Sequence, residues 1–139
     1  MHMMSHMDRT VTSSAVSVDR LAEFEHEWIG AWNAHDIDRI ASHYRDNVRF
    51  VSPIAARFGA RHGEVRGRRA LRHYFERALA SYPALRFEPI AALGGIGSIA
   101  VHYRSVEDLQ AIEVMELDAR EQVRRAVVHY GAPQRTRAP

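Results

Sequence analysis

Residues 32–53, WNAHDIDRIASHYRDNVRFVSP, pass from a helical to a strand period within one short segment, and that change decides the fold. Asp36 is placed to cap a helix, because its carboxylate can accept the free backbone N–H groups of a first turn. Ile37, Ile40, Ala41 and Tyr44 then recur at three and four residues on one inner face. Residues 48–51 follow as a short strand with Phe50 and Ser52 on one side. Pro53 opens an irregular loop that runs as far as Gly63.

Outward from this segment the same signals continue. Ser17 or Asp19 caps an earlier helix in which Leu21, Phe24, Trp28 and Trp32 form one buried stripe, and residues 1–17 read as a disordered leader. A third helix over 68–80 buries Leu71, Phe75 and Leu79 and ends before Pro83. Residues 86–90, 99–103, 111–117 and 123–130 are short runs of branched and aromatic residues separated by turn segments such as GGIG and SVEDLQ, which reads as four strands. Helices first and strands afterwards predict an α+β domain over 18–132, with three N-terminal helices packed on one face of a curved antiparallel sheet and a flexible tail over 133–139. Gly95, Gly97 and Ala100 imitate a dinucleotide-binding fingerprint, but that motif needs a helix after it and here a strand follows, so it is set aside.

Composition removes several chemistries. The chain of 139 residues is 46% hydrophobic and 26% charged, ordinary for one globular domain. No run approaches the roughly 18 apolar residues of a membrane span, and the N-terminus lacks a signal-peptide core, so a cytoplasmic protein without membrane contact is expected. There is no Cys, which excludes thiolate nucleophiles and disulfides, and no Lys, which excludes Schiff bases and a phosphate-binding lysine. A formal charge of +2 gives no electrostatic case for nucleic acid. The dense group Arg57, Arg61, His62, Arg66, Arg68, Arg69 and Arg72 is read as a solvated face or, alternatively, as a gate for an anionic substrate. No HExxH or other ligand spacing occurs, so no metal is expected.

With Gly67-Arg68 opening a helix, ALRHYFERAL within it, the strand IAVHYRS and the closing pair AIEVMELD and VRRAVVHY, the order of elements resembles the SnoaL-like and ketosteroid-isomerase-like branch of the nuclear transport factor 2 (NTF2-like) superfamily. The resemblance implies a cystatin-like cone enclosing a largely apolar pocket for a hydrophobic small molecule, no cofactor, and a homodimer. It also implies roles residue by residue. Trp28 stands where ketosteroid isomerase has its oxyanion-hole tyrosine, Ser52 where it has the general-base aspartate, and Glu113 where it has the proton-donating aspartic acid. Tyr44 and Phe75 stand at supporting tyrosines. Since an indole cannot exchange a proton as a phenol does and a lone Ser hydroxyl is no base, true steroid isomerisation is not expected.

Candidate ligand contacts follow from this: Trp28 and Trp32 on the first helix, Tyr44 on the second, and Phe50 and Ser52 on the first strand. Phe75 and Leu79 join them from the third helix, and Met115, Val128 and Tyr130 from the last strands. Alternation in 111–117 puts Ala111, Glu113, Met115 and Leu117 on one face and Ile112, Val114 and Glu116 on the other. Glu113 in an apolar cavity would hold its proton to high pH and serve as the acid; the other reading is a structural ion pair. A hairpin turning at Glu107 and Asp108 would set His102 opposite Glu113 as its catalytic companion, and a one-residue shift would set Tyr103 there instead. Two functions remain open: cofactor-independent acid/base chemistry of the isomerase, cyclase, dehydratase or hydrolase type, or a non-catalytic ligand-binding or dimerisation module.

Overall fold

The computed structural model describes residues 15–133. Helix α1 (Val18–Asn33) starts at Ser17, whose hydroxyl accepts the Arg20 N–H, and helix α2 (Ile37–Ser42) starts at Asp36, which accepts the Arg39 N–H. Both caps use the side-chain oxygen expected from the sequence. Tyr44 does not continue α2. It begins strand β1 (Tyr44–Val51) with its ring fully buried.

The expected loop after Pro53 contains a short helix, α3 (Pro53–Arg57), capped by the Ser52 hydroxyl on the Ile54 N–H. Ser followed by Pro at the first helical position is a start signal in its own right. A 3₁₀ turn (Arg61–Gly63) and strand β2 (Glu64–Arg66) follow. Gly63 has φ +69°, and a Cβ there would lie 2.7 Å from the Ser52 carbonyl oxygen, so glycine is what lets this turn close against the end of β1. Helix α4 (Arg68–Ser81) then buries Leu71, Phe75 and Ala78.

Strands β3 (Glu88–Gly94), β4 (Ser98–Arg104), β5 (Leu109–Leu117) and β6 (Val123–Pro133) complete a curved, open sheet of order β2-β1-β6-β5-β4-β3. Every pairing is antiparallel except β1 with β6, which runs parallel. The intervening hairpins carry the chain across the sheet and return β6 beside β1 in the same direction, a long-range pairing with no local signal. The segment GGIG is a β3–β4 hairpin, so no dinucleotide loop forms. The expected leader and tail lie outside the described residues for 1–14 and 134–139. Residues 15–17 are placed on the domain: Ala15 bridges Ile96 and Val16 N–H donates to the Gly95 carbonyl. Pro133 ends β6 instead of opening the tail. Among the described residues no helix is long and apolar enough to cross a membrane.

Candidate active site

Helices α1 and α4 and the inner sheet face enclose an aromatic cavity. Its walls come from Trp32 on α1, Phe50 on β1, Ile54 on α3, Tyr74, Phe75 and Ala78 on α4, and Tyr82, Leu85 and Phe87 after it. Tyr103, Ser105, Val106, Glu113, Val128 and Tyr130 close it from the sheet side. The cavity has a volume of about 40 Å³. That inner space admits a few water-sized groups, well short of the several hundred Å³ of typical ligand clefts. Tyr82, Leu85, Ser105 and Val106 also border an outer groove of about 490 Å³.

Among the described residues Glu113 is the one carboxyl in the wall, and it is 3% exposed. Period-two alternation on β5 turns it inward between Ala111 and Met115, both buried. Its Oε2 accepts the Tyr44 hydroxyl at 3.2 Å, and its Oε1 faces the Tyr103 hydroxyl at a looser 3.4 Å. Trp28 Nε1 donates to the Tyr44 oxygen at 3.1 Å. Loss of hydration pushes the Glu113 pKa up to about 8, while the two tyrosine hydrogen bonds, which favour the anion, pull against that rise. The carboxyl is therefore predominantly neutral at pH 7 and can donate a hydrogen bond or a proton.

Tyrosines supply the rest of the polarity. All five in the chain gather here: Tyr74, Tyr82, Tyr103 and Tyr130 in the wall, and Tyr44 on the carboxyl from behind. Burial raises Tyr44 and Tyr103 well above the ordinary phenol value, raises Tyr74 also, and brings Tyr130 to about 12. These phenols stay protonated near neutrality and act as hydrogen-bond donors and acceptors, not bases.

The structure brings Trp32, Phe50, Phe75, Glu113, Val128 and Tyr130 together as expected from the sequence. Trp28, Tyr44, Ser52 and Met115 are buried behind the wall. Leu79 is only half-buried and Ala78 takes its place. Two successive steps of four residues, Leu71 to Phe75 to Leu79, drift about 80° around a helix of 3.6 residues per turn, whereas Ala78 corrects the drift.

His102 is a correction. It pairs with Ile112, so it lies on the opposite sheet face with its Nε2 on Gln110 Oε1 at 3.1 Å, and Val101 stands opposite Glu113. The cause is the length of the connection. Ser105 N–H donates to the Leu109 carbonyl, leaving a loop of Val106, Glu107 and Asp108 centred on Glu107. An odd-numbered loop moves the register by one residue and exchanges the faces, which brings Tyr103 onto the Glu113 side. His35 and His43 bond the backbone carbonyls of Leu85 and Arg39 and do not reach the cavity.

The arginine group is largely absorbed by surface ion pairs. Arg49 and Arg66 meet Glu64, Arg68 meets Asp46, and Arg72 meets Asp38 and Glu76. Arg57 lies at the mouth, 3.4 Å from both the Tyr82 hydroxyl and Glu107. Among the described residues no basic side chain lines the cavity, so its chemistry suits a neutral ligand. Ala78 and Tyr82 carry a usable signal in the sequence: Leu71, Phe75, Ala78 and Tyr82 step by four, three and four residues, the spacing that keeps to one helix face up to the C-cap of α4.

Comparison with known proteins bears on the family and the fold. A SnoaL-like domain profile matches residues 26–131. A SnoaL-like protein of unknown function from Burkholderia thailandensis is 37% identical over 86% of this chain and 100% of its own, with a TM-score of 0.82. The epoxide hydrolase/cyclase-like enzyme SalBIII, with a role in pyran ring formation in the polyether salinomycin, is 21% identical over 82% of this chain and 92% of its own, with a TM-score of 0.66. An NTF-2 like protein from Burkholderia xenovorans is 18% identical over 86% and 88%, with a TM-score of 0.64. The last two likenesses bear on the fold alone. No curated protein matches the chain.

Proposed function

The chain belongs to the SnoaL-like family, and on that premise we propose that it binds a small, neutral, largely apolar molecule carrying a carbonyl or epoxide oxygen, to which Glu113 donates its proton. The observation that carries this reading is a buried carboxyl held between two tyrosine hydroxyls in the wall of an aromatic cavity. Proton donation to such an oxygen initiates cofactor-independent isomerisation, cyclisation, dehydration or ring opening, with Tyr103 and Tyr130 placed to orient the substrate. A second reading, binding without turnover, is favoured by one fact: among the described residues Glu113 is joined in the wall by no other carboxylate and no imidazole that could act as a base.

Styrene oxide and 1-indanone are suitable neutral probes, with benzoate as the anionic control. Trp32 lines the cavity and Trp28 stands behind it on the Tyr44 hydroxyl, so tryptophan fluorescence reports binding. The neutral probes are expected to quench it and benzoate not, and the enzyme reading further requires consumption of styrene oxide above the uncatalysed rate. A Δ5-3-ketosteroid is expected to show no enone formation, since Ser52 is occupied as a helix cap and Trp28 lies behind the wall. Preference for benzoate would overturn the ligand class, and binding without turnover would select the second reading.

The outer sheet face carries Ile112 and Val114, 40% and 36% exposed, beside the half-buried Val127. Apolar side chains gathered on one face favour association through a shared, two-fold surface. A homodimer is therefore expected at micromolar concentration in sedimentation equilibrium. A single monomeric species would remove the expectation.

A further inference from the structure

Glu113 Oε1 is contacted by Tyr103, a residue of the cavity wall, whereas Oε2 is held by Tyr44, which stands behind the wall. An indole N–H can only donate, so Trp28 occupies an acceptor position on the Tyr44 oxygen. Trp32 Nε1, buried without a partner of its own, lies near that same oxygen outside hydrogen-bonding geometry. With donors on this side of the phenol, the single Tyr44 hydrogen is directed to Glu113 Oε2 at 3.2 Å. Both carboxyl oxygens accept a tyrosine hydroxyl, but only Tyr44 is fixed as a donor by Trp28; among the described residues no donor holds the Tyr103 oxygen, so that hydroxyl can turn to accept, which leaves the acid hydrogen of the protonated carboxyl to Oε1. That atom lies beside the loosely held hydroxyl of Tyr103, a wall residue, and a ligand oxygen can replace so long a contact.

We infer that Trp28, acting through Tyr44, is a positioning residue that gives this hydrogen-bond chain one direction and thereby places the Glu113 proton on Oε1, the oxygen beside the wall residue Tyr103. This deepens the proton-donor reading and rests on it for its purpose, but the direction of the chain is measurable without any ligand. Trp28 and Tyr44 touch no substrate in this arrangement. They decide which oxygen of the carboxyl is an acid and which is an acceptor.

The test is a double-mutant cycle read by carboxyl ¹³C NMR titration of Glu113 in the full-length protein. Tyr44→Phe removes the hydrogen bond that favours the anion and is expected to raise the midpoint by about one to two pH units. Trp28→Phe keeps an aromatic ring but frees Tyr44 to turn and accept from the carboxyl, so a smaller rise is expected. In the Tyr44→Phe background the Trp28 substitution should then add nothing, because its effect passes through the missing hydroxyl. An unchanged midpoint in folded Trp28→Phe protein, or a Trp28 shift that persists in full without Tyr44, would overturn the inference. Where Trp28→Phe fails to fold, β-(3-benzothienyl)alanine at position 28 deletes the N–H at constant shape, and the same two results would overturn the inference there. Failure of the proton-donor reading is told apart by Glu113→Gln: unchanged probe binding and turnover alongside a coupled cycle would sink that reading and leave the chain's direction standing.

Discussion

Replacing Glu113 by Gln is expected to leave a folded protein that binds neutral probes within a few fold of the native chain and turns them over about two to four orders of magnitude more slowly. The amide keeps the shape of the side chain and a hydrogen-bond donor, but it has no proton to transfer. The same substitution has a thermodynamic signature. Glu113 has a pKa of about 8 in the fold against an ordinary value of 4.5, so the folded state retains a proton that the unfolded state releases between those two pH values. Stability of the native chain is therefore greatest below pH 4.5 in this respect and falls as pH rises toward 8, by about 1.4 kcal/mol for each pH unit in that window. The Gln variant lacks this slope. Between pH 5 and pH 8 its stability relative to the native chain should rise by roughly 3–4 kcal/mol. Urea unfolding of both proteins across this range is the measurement. Parallel curves would show that Glu113 titrates normally and would end its assignment as the acid, and a loss of turnover only in proportion to folded protein would make it a structural residue.

Phe75→Ala is expected to produce the largest loss of stability of any single truncation in the cavity wall, about 3–5 kcal/mol. Phe75 is 1% exposed, and its ring centroid lies 4.8 Å from Trp32, 5.4 Å from Phe50, 5.5 Å from Tyr44 and 5.6 Å from Tyr74. Its removal leaves a void that these rings cannot close, because each is anchored on its own helix or strand. Against a total of about 5–15 kcal/mol for a domain, the loss is large enough to bring the midpoint close to unfolding at room temperature. Equilibrium urea unfolding followed by tryptophan fluorescence checks it. A cost below about 1 kcal/mol would show that α4 settles onto the sheet without the ring, and the hub would then lie elsewhere.

Much of the frame could be read locally. Ser17 and Asp36 announced their helices because a cap is a contact within four residues, and the apolar stripe Phe24, Trp28 and Trp32 appeared because helical period and burial coincide. The helix at Pro53 was overlooked even though its Ser-Pro start was legible, since the irregular composition after it suggested a loop. Leu79 reads as a wall residue because a run of four-residue steps looks like a stripe until the helical drift is counted.

The sequence by itself determined the α+β class, the exclusion of thiol and lysine chemistry, and the common face of Ala111, Glu113 and Met115, because a strand's two-residue alternation sets which side chains lie together; packing decided that this face is the inner one. Tertiary structure alone decided what Glu113 meets. A loop of three residues in place of two turned His102 outward and brought Tyr103 to the carboxyl, and the parallel return of β6 beside β1 gathered Tyr44 and Tyr130 from positions 86 residues apart into one site. Caps and periods are set by neighbours in the chain and can be read there. Register and hydroxyl-to-carboxyl distances depend on how separate segments pack, and a shift of one residue at a turn, invisible in composition or period, exchanges one set of partners for another.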